Sequence, residues 1–174
     1  MSDTQLLFRG RAFVFGDNVD TDAIYHASYL NLTEEKEIAV HCLEEPYPGF
    51  SAKVSKGDIL VAGDNFGCGS AREHAPVAIR GCGIACVIAR SFSRLFYRNA
   101  INIGLPVIIA DAASYTEEGD SLAIDCLTGK INLPDKQVAL SGEPLPGFML
   151  EIIQAGGLTG YLEDILKKEG RMSS

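Results

Sequence analysis

Between Val61 and Pro76 the chain reads VAGDNFGCGSAREHAP, which places three glycines, a serine, an arginine, a glutamate and a histidine between an apolar run and a helix-like segment. A strand that enters a glycine-rich turn and then a helix aims backbone N–H groups and the positive end of a helix dipole at one point, and that point favours an anion. Three readings fit. Ser70 and Glu73 have the S-x-x-E spacing of a capping box, in which Gly63, Gly67 and Gly69 only tighten the turn. Gly67-x-Gly69 also opens a dinucleotide fingerprint. Its third glycine position holds Arg72, however, and the next strand ends on Arg90 rather than an acidic residue, which leaves an NADP-type site using Arg90; outside enzymes the alternative is a non-catalytic carboxylate-binding module. In the third reading the planar fork of Arg72 grips a substrate carboxylate, and Ser70 takes a proton from carbon because an N–H-rich, cationic pocket stabilises its alkoxide. That chemistry needs a leaving-group activator, and none is visible in the chain.

The elements around this stretch must hold it in place. LLFRGRAFVF (6–15) reads as a strand and GDNVDTD as a turn. TEEKEIAVHCLEE predicts a helix with Thr33 as N-cap, stopped by PYPG. DILVAG, IACVIA and LPVIIA are short apolar runs. They alternate with predicted helices REHAPVAIRGCG, closed by Gly81 or Gly83, and SRLFYRNAIN, stopped by Gly104. This βαβαβ pattern implies parallel strands covered on both faces, so the fold class is α/β. After Asp111 the pattern becomes strand, Thr-Gly turn and strand, then a third strand at KQVAL and two helices broken at Gly156-Gly157. No internal repeat is evident, and both ends are expected to fray.

At 174 residues and 47% hydrophobic content the chain suits one domain, 1–174. A net charge of −8 excludes a phosphate-backbone or anionic-membrane surface, and no apolar run reaches the ~20 residues of a membrane span. With no leader pattern at MSDTQLLFRG, a cytoplasmic protein is expected. Five cysteines, Cys42, Cys68, Cys82, Cys86 and Cys126, are odd in number and scattered, which predicts reduced, mostly buried thiols and no metal bound by this chain.

GDNFGCGSAREHAP, GDNVDTDAIYHASYL and SFSRLFYRNAINIGLP together resemble the small subunits of 3-isopropylmalate dehydratase and their relatives, the swivelling domain of the aconitase superfamily. The similarity spans about Phe13 to Pro106 in matching order and weakens through the C-terminal third. It implies a β/β/α domain that closes over a separate large subunit carrying a [4Fe–4S] cluster, whose open iron acts as Lewis acid on the hydroxyl of a small hydroxy dicarboxylate. The small subunit then supplies the base and part of the substrate clamp, and is silent alone. The implied reaction is the dehydration and rehydration of isopropylmalate in leucine biosynthesis.

Carried over by position, Ser70 matches the family's catalytic serine, Arg72 its carboxylate-binding arginine, and Asp22 an aspartate near the site that is otherwise an Asx-turn or cap residue. Ala71 departs from relatives with a second serine, so only its backbone N–H is left to polarise substrate. His74 suits hydrogen-bonding support more than proton transfer, and His26 and His41 read as surface or turn residues. Arg94, Tyr97, Arg98 and Asn99 either snorkel around a core of Leu95, Phe96 and Ile101 or meet substrate or a subunit. The family's specificity loop falls at Tyr29-Leu30-Asn31-Leu32. Relatives that take a tricarboxylate place an arginine at the third position, whereas Asn31 stands here between Leu30 and Leu32. Burying an isopropyl group there contributes roughly 2 kcal/mol at about 25 cal/mol per Å². Isopropylmalate ranks first, dimethylmalate or citramalate second, and homoaconitate lower.

Overall fold

The fold is built around strand β1 (Leu7–Val14), whose two halves do different jobs. In this computed structural model, which describes residues 6–170, Leu7 to Arg11 pair antiparallel with β5 (Ser121–Asp125) and Ala12 to Val14 pair parallel with β2 (Ile59–Ala62). The seven strands run β4-β3-β2-β1-β5-β6-β7, with β3 (Cys86–Ala89) and β4 (Val107–Ile109) parallel to β2, and β6 (Lys130–Leu133) and β7 (Val138–Ser141) antiparallel. Expected fraying of the ends falls outside the described residues, apart from Gly170.

Sequence explains the division. Every residue of β2 and β3 is buried, as their unbroken apolar runs require of strands covered on both faces. β5 and β6 instead bury alternate residues, the period-2 pattern of strands with one face in the core. The two sheet edges approach each other beyond β7, where the Glu143 N–H donates to the Ile109 carbonyl at 2.9 Å and Gly142 packs on Ile108 and Ala110.

Helices α4 (His74–Gly81) and α5 (Arg94–Asn102) make the crossovers, and α6 (Gly147–Gln154) and α7 (Leu158–Lys168) follow β7 with the expected break at Gly156-Gly157. A one-turn α1 (Thr21–Ile24), α2 (Glu35–Val40) and a short α3 (Phe50–Lys53) precede β2. The helix predicted from Thr33 begins one residue later than that cap allows. Glu34 flanks α2 without a side-chain cap, and α2 ends early because Leu43 is fully buried at φ 51° with its N–H on the Ile24 carbonyl. Tertiary packing overrides the local signal there. Leu95, expected in the core, is 47% exposed, while Phe96 and Ile101 are buried. The cysteines are free, but four of them are less scattered than their spacing suggests: the Cys42 thiol meets Cys82, and Cys86 meets Cys126.

Candidate active site

The three sequence motifs meet at the carboxyl ends of the parallel strands, where open α/β sheets bind ligands. Two Gly-Asp-Asn tripeptides, 16–18 after β1 and 63–65 after β2, lie side by side. Both asparagines adopt positive φ, and Asn65 Nδ2 donates to Asn18 Oδ1 at 3.1 Å. The strips beyond them stay zipped: Asn18 N–H bonds the Asp64 carbonyl, Gly67 N–H the Val19 carbonyl, and Thr21 N–H the Cys68 carbonyl, each at 2.8 Å. On the other flank Ser93, the α5 cap, donates through Oγ to the Gly67 carbonyl at 2.7 Å.

Arg90, at the end of β3, ties these turns together. Its Nη2 donates to Asp17 at 2.8 Å, and Nε and Nη1 lie 3.3 and 3.7 Å from Asp64 and Asp111 as ion pairs without hydrogen-bond alignment. The Asp64 N–H and then Arg90 hold the Asp17 carboxyl below its usual value. Gly63 is required at this point, because a Cβ would collide with the Asp17 carboxylate. With three carboxylates already around it, Arg90 does not present a free fork to a nucleotide phosphate. This weighs against the NADP-type reading.

The opening stretch is not a capping box. α4 starts at His74 and is flanked by Glu73 without a side-chain cap bond, so Ser70 lies outside the helix. Gly67, at φ 77°, turns the chain so tightly over Phe96 that any Cβ would strike the ring. The exposed loop that follows is fixed from beneath, where buried Thr21 donates through Oγ1 to the Ser70 carbonyl at 2.8 Å. Among the described residues the Ser70 hydroxyl and the backbone N–H groups of Ser70 and Ala71 have no hydrogen-bond partner. They face outward.

Arg72 stands beside them with its side chain only 16% exposed. Its Nη1 donates to Asp22 Oδ1 at 2.5 Å and to the Tyr25 carbonyl at 3.1 Å, which leaves Nε and Nη2 unbonded among the described residues. That free edge is the fork a carboxylate takes in two hydrogen bonds. Asp22 also accepts from the Ala27 N–H at 3.1 Å, and Arg72 followed by this N–H keeps its carboxyl below the usual value. Asp22 therefore orients the arginine as an anion.

Segment 29–32 is bonded to His74, at the start of the helix that follows the loop of Ser70 and Arg72. Leu30 is 41% exposed and Asn31 is exposed, whereas Leu32 packs partly onto the core. His26 and His41, read from sequence as surface or turn residues, also have hydrogen-bonded roles, and His26 is an exposed turn cap. His26 Nδ1 accepts the Ser28 N–H, and His41 bonds Glu44 at 2.8 Å and stacks on Tyr29. Arg94 and Arg98 are exposed along a groove of about 510 Å³ that also takes in Tyr97 and Phe148.

The aconitase C-terminal domain family matches residues 31–112. The 3-isopropylmalate dehydratase small subunit of Halothermothrix orenii is 55% identical over 160 residues, 91% of this chain and 97% of that protein. The chain belongs to the family of 3-isopropylmalate dehydratase small subunits. A small subunit of 2,3-dimethylmalate dehydratase from Eubacterium barkeri is 50% identical over 155 residues, covering 88% of this chain and 95% of that one. The crystal structure of 3-isopropylmalate dehydratase from Methanocaldococcus jannaschii superimposes with a TM-score of 0.90 at 45% identity, covering 95% of this chain and 98% of that one. The α/β architecture is that of the small-subunit family over 95% of the chain, which takes in most of the C-terminal third where the sequence motifs were expected to weaken.

Within this small-subunit fold, sequence reasoning missed the Arg90 brace and the anchoring of segment 29–32. The doubled Gly-Asp-Asn was the available sign of the first. Nothing local signals the second.

Proposed function

We propose that this chain is the small subunit of a heteromeric hydro-lyase that isomerises 2- and 3-isopropylmalate by dehydration and rehydration in leucine biosynthesis, acting as one domain. The observation that carries this reading is the half-empty fork of Arg72 beside an unpaired Ser70 hydroxyl. Arg72 takes a substrate carboxylate through Nε and Nη2, while Asp22 holds its other edge. Ser70 Oγ, in the field of that cation and of free N–H groups, takes the proton from the carbon next to the leaving hydroxyl and returns it on rehydration. Ala71 contributes a backbone N–H toward a substrate oxygen. Leu30 and Asn31 meet the alkyl substituent, with Leu32 behind them.

The leaving hydroxyl needs an activator that this chain does not supply. Among the described residues no three His, Cys, Asp or Glu side chains converge as metal ligands, so the [4Fe–4S] cluster that the family implies is assigned to a large-subunit partner. When bound there it supplies a Lewis acid for the substrate hydroxyl. No helix among the described residues is long and apolar enough to cross a membrane.

Dimethylmalate is the second reading, carried by the 50% identity to a subunit that acts on it. Anaerobic reconstitution with the large subunit, followed by ultraviolet assay of dehydration across isopropylmalate, dimethylmalate, citramalate and homoaconitate, separates the two. A reconstituted complex inactive on every malate derivative would falsify the hydro-lyase assignment.

A further inference from the structure

The segment Tyr29 to Leu32 is held by side chains from two other elements. Tyr25, fully buried at the end of α1, donates its hydroxyl to the Tyr29 carbonyl at 2.7 Å. His74, the first residue of α4, places Nε2 3.2 Å from the Leu32 carbonyl, and since a carbonyl only accepts, this nitrogen carries the proton. The segment closes on itself through the Leu32 N–H, which donates to the same Tyr29 carbonyl at 3.0 Å. The two anchoring rings stack with centroids 5.4 Å apart and planes within 5°. The two anchors thus pack against each other. Tyr25 is also tied to the carboxylate site, because its own carbonyl accepts from Arg72 at 3.1 Å.

We propose that Tyr25 and His74 form a clamp that sets the geometry of segment 29–32, and thereby the discrimination between alkyl-malate substrates; this rests on the reading of that segment as substrate-facing. The clamp grips both ends of a four-residue segment whose middle, Leu30 and Asn31, is exposed. It also links that segment to the loop bearing Ser70 and Arg72 through a single stacked pair. A substrate with a larger or smaller substituent displaces Leu30 against this restraint. Tyr25 and His74 are positioning residues and touch no substrate atom.

Three variants test the clamp in the enzyme reconstituted with its large subunit. Tyr25→Phe removes one hydroxyl, His74→Phe keeps the ring stack and loses the donor, and His74→Gln keeps a donor at the same reach and loses the ring. The measured quantity is the ratio of kcat/KM for isopropylmalate to that for dimethylmalate. Tyr25→Phe and His74→Phe are expected to change it by about fivefold or more, mainly through KM, within the range a methylene-sized misfit allows. His74→Gln is expected to stay within about twofold of wild type. Amide exchange of residues 29–34 in the free chain should speed up in the first two variants and not in the third. This readout is independent of turnover and separates the clamp from a general loss of folding.

Leu30→Ala serves as the control for the underlying reading. If it shifts the ratio while Tyr25→Phe and His74→Phe leave it within twofold, the segment reads substrate and the clamp is overturned. If Leu30→Ala also leaves the ratio unchanged, the segment does not face substrate, and the clamp's role in specificity falls with that reading. Equal impairment in His74→Gln and His74→Phe overturns the hydrogen bond alone as the operative contact at His74, because a retained donor without the ring would then fail.

Discussion

Two arginines stand near the carboxyl ends of the parallel strands, and they are satisfied in opposite ways. Arg90, with its side chain 35% exposed, has three aspartates around it. Arg72, at 16%, has one aspartate and one carbonyl, both on the same nitrogen. Burying a charged group is costly unless it is paired and hydrogen-bonded, so the better-buried guanidinium should be the more fully partnered. It has fewer charged partners, one aspartate against three, although it makes two hydrogen bonds against the single one of Arg90. Arg90 is ringed by carboxylates and braces the turns, with its Nε paired by charge but not hydrogen-bonded, whereas Arg72 is held on one edge and kept open on the other, the arrangement of a group awaiting an anion.

The largest expected effect concerns the open side of this comparison. Ser70→Ala should lower kcat of the reconstituted enzyme by about 10³-fold, within the 10²–10⁴ that a positioned base contributes, with an unchanged Tm because the hydroxyl makes no bond in the fold. A lowered Tm with near-normal turnover would restore the capping-box reading. Next, Arg72→Lys should cut kcat/KM by about 10²-fold, since lysine keeps the charge and loses the fork. Arg90→Lys should instead lower Tm and leave kcat/KM within about threefold. Loss of activity at constant Tm in the Arg90 variant would break the distinction between the two.

A smaller effect is expected at the substrate's far end. Asn31→Arg should reduce preference for isopropylmalate over homoaconitate by about tenfold, because the guanidinium offsets burial of an added carboxylate and sits badly against an alkyl group. A ratio within about twofold, a difference of roughly 0.4 kcal/mol, would place segment 29–32 away from the substrate.

The smallest effect is in pH dependence. Asp17 and Asp22 titrate below their ordinary value of 3.8 in the folded chain. The unfolded chain therefore binds more protons just below that value, and stability falls as pH drops through the folded values. Their contribution is fully present above about pH 5. Thermal melts should show little change from these groups between pH 7 and 5 and a decline below 4, with a shallower decline in Asp17→Asn. A slope that is the same in Asp17→Asn and wild type would remove Asp17 from the brace.

The elements and the site differed in how far they could be read in advance. β2, β3 and β4 were legible as short apolar runs, which strands covered on both faces require of β2 and β3, and α5 because SRLFYRNAIN runs to a stop at Gly104. Ser70, Arg72 and Asp22 were picked out by motif, and the structure brings all three to one place. The brace was illegible because its carboxylates, Asp17, Asp64 and Asp111, come from turns after three different strands and each looks like ordinary turn chemistry. His74 could be recognised as a support, yet what it supports, the Leu32 carbonyl, depends on α4 packing beside α1.

The bond from Glu143 to Ile109 bears on the life of the chain before it finds a partner. β4 is an edge strand of Val107, Ile108 and Ile109, the kind of short β-branched edge that recruits strands from other molecules. Gly142 and Glu143 lie along it and use the Ile109 carbonyl internally, so the chain's own backbone occupies part of the docking line. A subunit synthesised apart from its partner is thereby shielded from edge-to-edge aggregation while the face that carries Ser70 and Arg72 remains open.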